Sequence, residues 1–129
     1  MNQVVDLFIL TVLLLAFDGT YLYANAKAFG NLVFRIQGTK MKIRPEAVVL
    51  CYMAIIVGLY YFIIREHKSP LEAFLLGSVI YAVYDCTNYA TLANYTASFA
   101  LMDTLWGGTL FALVTFCFQK IKKYRETLR

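Results

Sequence analysis

Three aspartates stand inside apolar stretches of the chain, Asp18, Asp85 and Asp103. Each is followed three positions later by a large polar or aromatic residue, Tyr21, Asn88 and Trp106. A carboxylate near the middle of a bilayer costs roughly 2.5–3.5 kcal/mol on insertion scales, and such residues by default mark ion paths, proton relays or ligand counter-ions. The same stretches contain no Lys, Arg or His. The balancing positive charge must then come from a proton, a bound cation, a cationic group on a substrate, or Arg35, Lys42 or Arg44 reaching in from a neighbouring loop. Protonated Asp and Asn also act as hydrogen-bond glue between membrane helices, worth about 0.6 kcal/mol on average. Three carboxylates with polar neighbours exceed what glue requires.

The elements that must hold these residues follow from the hydropathy. Of 129 residues, 60% are hydrophobic and 16% charged, with a mean hydropathy of +0.61. A soluble chain this short could not hide that much apolar surface, so the composition indicates one integral membrane domain over residues 1–129. Four runs approach the ~20 residues a spanning helix needs, at about 4–23, 47–64, 71–92 and 99–118. Pro45, Ser69-Pro70 and Asn94-Tyr95-Thr96 punctuate them. Between the first two, Phe29, Leu32, Val33 and Ile36 recur at helical spacing opposite Lys27, Asn31 and Arg35. That pattern predicts a short amphipathic helix over about 27–37 lying at the membrane interface. The fold class is therefore all-α, an integral membrane four-helix bundle with an interfacial helix between its first two spans and a basic tail over 119–129. Asp6 and the lack of Lys or Arg among the leading residues argue against a cleaved signal peptide.

Threading four spans brings the aspartates to one level. Counting 1.5 Å per residue from the nearest span end, Asp18 and Asp103 lie roughly 6–8 Å deep and Asp85 about 10 Å, all toward the 24–44 loop. Gly77, Tyr81, Asp85, Asn88 and Leu92 form one helical stripe; Asp103, Trp106, Gly107 and Leu110 form another; Thr11, Asp18, Tyr21 and Asn25 a third. Polar stripes face the bundle interior, and small residues such as Gly77 and Gly107 let helices approach closely. The expectation is a polar pocket or ion site formed by Asp18, Tyr21, Asp85, Asn88, Asp103 and Trp106.

These residues carry a resemblance. The chain resembles the small predicted membrane proteins grouped as domain of unknown function family 2177. Their pattern has Asp-x-x-Trp-Leu near the end of the first helix, then Tyr-x-Thr-Tyr-Asp-Leu-Thr-Asn-x-Ala-Thr-Leu, then Asp-x-x-Trp-Gly. The corresponding residues are Asp18-Gly19-Thr20-Tyr21-Leu22, Tyr81-Ala82-Val83-Tyr84-Asp85-Cys86-Thr87-Asn88-Tyr89-Ala90-Thr91-Leu92 and Asp103-Thr104-Leu105-Trp106-Gly107. Tyr21, Val83 and Cys86 depart from the pattern, and no departure touches an aspartate. The resemblance implies a four-helix integral membrane fold and names no activity.

Three functions fit this layout. The first is a small proton- or cation-handling transporter or channel-like protein, the chain forming a homo-oligomer to complete a path. The second is an intramembrane enzyme using paired aspartates as acid and base; the lack of Gly-x-Gly-Asp before Asp103, where Leu101-Met102 stand, ranks it lower. The third is a non-enzymatic membrane subunit or assembly factor. No metal site and no cofactor is indicated: Cys51, Cys86 and Cys117 lie on separate helices, without a CxxC or Cys/His cluster, and read as small buried hydrophobes. The partner is the lipid bilayer; the net charge of +4 sits beside the apolar runs and does not suggest nucleic acid. Seven Lys/Arg on the side of both termini against five on the other orient a multi-pass protein with both termini in the cytoplasm.

Overall fold

The computed structural model describes residues 2–129 and is all-α. The helices are α1 (Gln3–Ala24), α2 (Ala26–Gln37), α3 (Pro45–Leu59), α4 (Pro70–Thr91) and α5 (Ala97–Thr127). A π-helical turn, Tyr60–Ile64, extends α3. Local chemistry explains each start. The Asn2 side chain accepts from the Val4 amide at 3.1 Å, and Pro45 opens α3 where a missing N–H does no harm. Ser69 and Glu72 form a reciprocal capping box with Pro70 between them. Thr96 accepts from the Phe99 amide at 3.2 Å to start α5. Gly38, at φ 77°, takes the left-handed conformation that ends α2.

Gln3–Ala24, Pro45–Ile64 and Ala97–Thr127 are long and apolar enough to cross a membrane. α4 is as long as α1, 22 residues, but carries Ser78, Asp85, Thr87, Asn88 and Thr91, which lower its hydropathy. α5 has 31 residues, about 46 Å at 1.5 Å per residue, against a hydrocarbon core of about 30 Å. The basic residues after 118 continue this helix. Lys, Arg and Gln are good helix formers, so α5 continues through Thr127. Its Arg125 guanidinium reaches Asp6 on α1 at 3.4 Å, which joins the start of α1 to the end of α5.

Packing is centred on α5, which lies between α4 and α1. Leu10, Leu14, Leu59, Ala73, Leu110, Phe111, Val114 and Phe118 are almost entirely buried and fill the half of the bundle near the termini. Large apolar side chains such as Phe8, Leu75, Val83, Leu101 and Phe116 point outward and are exposed. That surface suits acyl chains and not water. The α4–α5 contact depends on glycine. A Cβ on Gly77 would collide with the Gly107 carbonyl, one on Gly107 with the Tyr81 ring, and one on Gly108 with Ser78 and Phe74.

α2 forms over Ala26–Gln37, close to the predicted 27–37, and Lys27, Asn31 and Arg35 are exposed. Its apolar side differs from the expectation. Leu32 is buried with Tyr95 and Ala100, and Phe29 meets Phe99 edge-on at 5.1 Å. The Asn94 amide group donates to the Arg35 carbonyl at 3.0 Å. α2 thus roofs one end of the bundle, because aromatic side chains at the α4–α5 turn give its apolar face a protein partner.

The cysteines correct another expectation. Cys51 and Cys86 are exposed and Cys117 is half-buried; none is disulfide-bonded. Cys51 stands at the rim of the cavity described below, and none of the three belongs to the buried core.

We predict that Gly107→Ala lowers stability by about 1–3 kcal/mol, because backbone or the Tyr81 ring must move. Gly58→Ala serves as comparison: its Cβ meets nothing within 4 Å, and it leaves stability unchanged or raises it by up to about 1 kcal/mol. Unfolding midpoints of the purified proteins in detergent check both.

Candidate functional site

The three aspartates come together beneath α2. α1 places Asp18 and Tyr21 near its C-terminal end, α4 places Asp85 in its last third, and α5 places Asp103 in its second turn. All three carboxylates are buried, Asp85 completely. Each has its own donors. The Trp106 indole N–H donates to Asp18 Oδ1 at 2.9 Å, and the Tyr52 hydroxyl donates to Asp18 Oδ2. Tyr95 donates to Asp85 Oδ1 at 2.6 Å and Thr104 to Asp85 Oδ2 at 3.2 Å. The Tyr21 hydroxyl makes a long contact of 3.5 Å to Asp103 Oδ1. Asp85 and Asp103 stand on the adjoining helices α4 and α5, linked through Thr104, the residue after Asp103, which bonds Asp85.

Tyr95 stands in the turn between α4 and α5. Burial, and then its bond to Asp85, push its hydroxyl above the ordinary phenol range. It therefore remains a donor at any physiological pH.

The electrostatics set this cluster apart. Four aspartates are buried, and among the described residues Asp6 alone pairs with a basic side chain, Arg125. Arg35, Lys42 and Arg44, which could have reached in from the loop, are exposed and make no ion pair with the cluster. Asp18, Asp85 and Asp103 are thus met by neutral donors only.

A cavity of about 870 Å³ opens beside the cluster, bounded by α2, the start of α3, and the facing parts of α4 and α5. Asp18, Tyr81, Asn88 and Asp103 line it among mostly apolar residues, whereas Asp85 lies behind Asp103 and does not. Below this level the fully buried Leu10, Leu14, Leu110, Phe111 and Val114 occupy the interior. The polar region therefore does not extend into the half of the bundle near the termini.

All six residues singled out by spacing lie in this region. Trp106 both bonds Asp18 and stacks on Tyr21, with ring centroids 4.5 Å apart. Asn88 is half-buried and faces the cavity. Two other stripe members stay apart: Thr11 bonds the Leu7 carbonyl at 2.8 Å and Asn25 the Tyr21 carbonyl at 2.9 Å, both within their own stretch of chain. Spacing missed Tyr52, Tyr95 and Thr104. Tyr52 was reachable by depth, since seven residues into α3 is about 10 Å, the level of the aspartates. Tyr95 sits in a turn and carried no such signal.

Comparison with protein families matches residues 3–118 to the family described as predicted membrane protein, domain of unknown function 2177, and the chain belongs to that family. No curated protein and no solved structure matches it.

Trp106 is the only tryptophan, and its indole N–H bonds Asp18 directly, so its fluorescence reports on that carboxylate. Asp18→Asn is expected to shift the emission spectrum of the purified protein, whereas Asp6→Asn at the opposite end leaves it unchanged.

Proposed function

We propose that this chain is a proton- or cation-handling membrane protein whose site is the Asp18, Asp85 and Asp103 cluster, with Tyr21, Asn88 and Trp106 as its polar surround. In this reading α4 crosses the membrane with α1, α3 and α5, and α2 rests at the interface. The observation that carries the proposal is the contrast between two buried acidic positions. Asp6 has Arg125 at 3.4 Å, while three carboxylates at the other end have hydroxyl and indole donors but no basic group. Buried acids without a counter-ion take up protons or hold cations.

The filled interior below the cluster argues for carrier-like exchange over an open pore. Passage to the far side then needs helix movement, or a second copy of the chain to complete the path. Asp85 and Asp103, on adjoining helices, also suit a paired-acid enzyme, but an acid and a base must reach the same substrate. Of these two only Asp103 faces the cavity; Asp85 is enclosed by Tyr95 and Thr104.

Purified protein in liposomes under a proton gradient, then under alkali-cation gradients, is expected to show flux that Asp103→Asn and Asp85→Asn abolish. Equal flux from wild type and both variants would remove the cluster from the path. Four crossings also put both termini on one side, which we assign to the cytoplasm. Protease accessibility of a tag placed at each terminus is expected to give the same side for both; opposite sides would mean that α4 does not cross.

A further inference from the structure

The cavity beside the cluster has a shape and lining that neither a proton nor a bare alkali ion needs. At about 870 Å³ it falls within the range of sites that enclose whole organic ligands. Its walls are largely apolar and aromatic, with Phe29, Tyr52, Tyr81 and Phe99 among them. Asp18 and Asp103, each more than nine-tenths buried, supply its acidic floor. Among the described residues no three acidic, His or Cys side chains come close enough to hold one metal ion. The carboxylates are therefore arranged around a space and not around a point.

The mouth points to the same occupant. Val48 on α3 and Tyr84 on α4 both line the cavity and remain exposed. α4 packs on α5, α5 on α1, and α3 has its few helix contacts with α1, so α3 and α4 are not a closely packed pair. The opening between them lies within the apolar outer surface. Lys27, Arg35, Lys40, Lys42 and Arg44 are exposed on α2 and on the stretch leading to α3, and their positive charge disfavours a hydrated cation at that end. A cation soluble in the membrane avoids that barrier by entering between α3 and α4.

We infer that the cavity binds a lipophilic organic cation, its positive centre over Asp18 and Asp103 and its apolar groups against the α2 and α3 walls. This rests on the cation-handling reading and names the substrate class of that site. Aromatic rings add to such recognition, because their faces attract cations in sites shielded from water.

The probe is tetraphenylphosphonium, with its isosteric anion tetraphenylborate as comparison, titrated into purified protein in nanodiscs and followed by Trp106 emission and equilibrium dialysis. Saturable phosphonium binding is expected, with borate binding weaker or absent. Asp103→Asn is expected to weaken phosphonium binding at least about tenfold. Should that variant fail to fold, Val48→Trp, which fills the mouth and leaves every aspartate in place, is expected to weaken binding as well. Borate bound as well as phosphonium would indicate an anionic-lipid pocket and overturn the inference. Binding that survives both substitutions would overturn it too. Proton or alkali-cation flux without phosphonium binding would overturn this inference and leave the broader reading standing.

Discussion

A carboxylate withdrawn from water must be met by positive charge, by hydrogen-bond donors or by a proton, and this chain buries four of them. One, Asp6, is met by Arg125 from the end of α5. The other three converge at the opposite end, where the donors are tyrosine, threonine and tryptophan side chains. The remaining architecture can be read as the means of keeping them there. Helices that carry polar groups into an apolar medium have to turn them inward, and doing so from α1, α4 and α5 fixes the rotation of each helix.

Close packing makes the convergence possible. Gly77 and Gly107 let α4 and α5 approach until Tyr81 rests on bare backbone, which brings Asp85 within reach of Thr104, the neighbour of Asp103. Arg125 and Asp6 hold the far ends of α5 and α1 in register, so Trp106 meets Asp18. α2 then closes the end through Leu32, Phe29 and the Asn94 bond to the Arg35 carbonyl. In the half near the termini the interior is mostly apolar, with Asp6 and Thr115 as buried polar residues; in the half beneath α2 there is a cavity with an acidic floor. That division keeps the site away from the end of the bundle near the termini.

Much of this was legible from sequence for a simple reason. In an apolar medium a polar residue has few places to go, so the 1.5 Å rise and the helical period together predicted that Asp18, Asp85 and Asp103 would share a level and an interior. The all-α fold and the stretch forming α2 were read from the same regularities. What escaped came from tertiary context. The apolar face of α2 gave no sign that Phe99 and Tyr95, distant in sequence, would cover it. The cysteines look like core residues by type, but Cys51 and Cys86 are exposed and Cys117 only half-buried. Tyr95 lies in a turn, where no periodicity applies, and its role depends on the fold of that turn over Asp85. Thr11 and Asn25 shared a stripe with Asp18 but satisfied themselves on nearby carbonyls, which helical spacing alone cannot distinguish.

The proposed reading requires that Asp18, Asp85 and Asp103, which no basic side chain meets among the described residues, together hold a proton when no cation is bound. Infrared difference spectroscopy of the cation-free protein at neutral pH tests it most directly, through the carbonyl stretch of a protonated carboxyl group. The account predicts such a band in the wild type, lost in Asp85→Asn and in Asp103→Asn and retained in Asp6→Asn. A wild-type spectrum without it would mean that all three carboxylates are ionised and otherwise compensated, and would contradict the account.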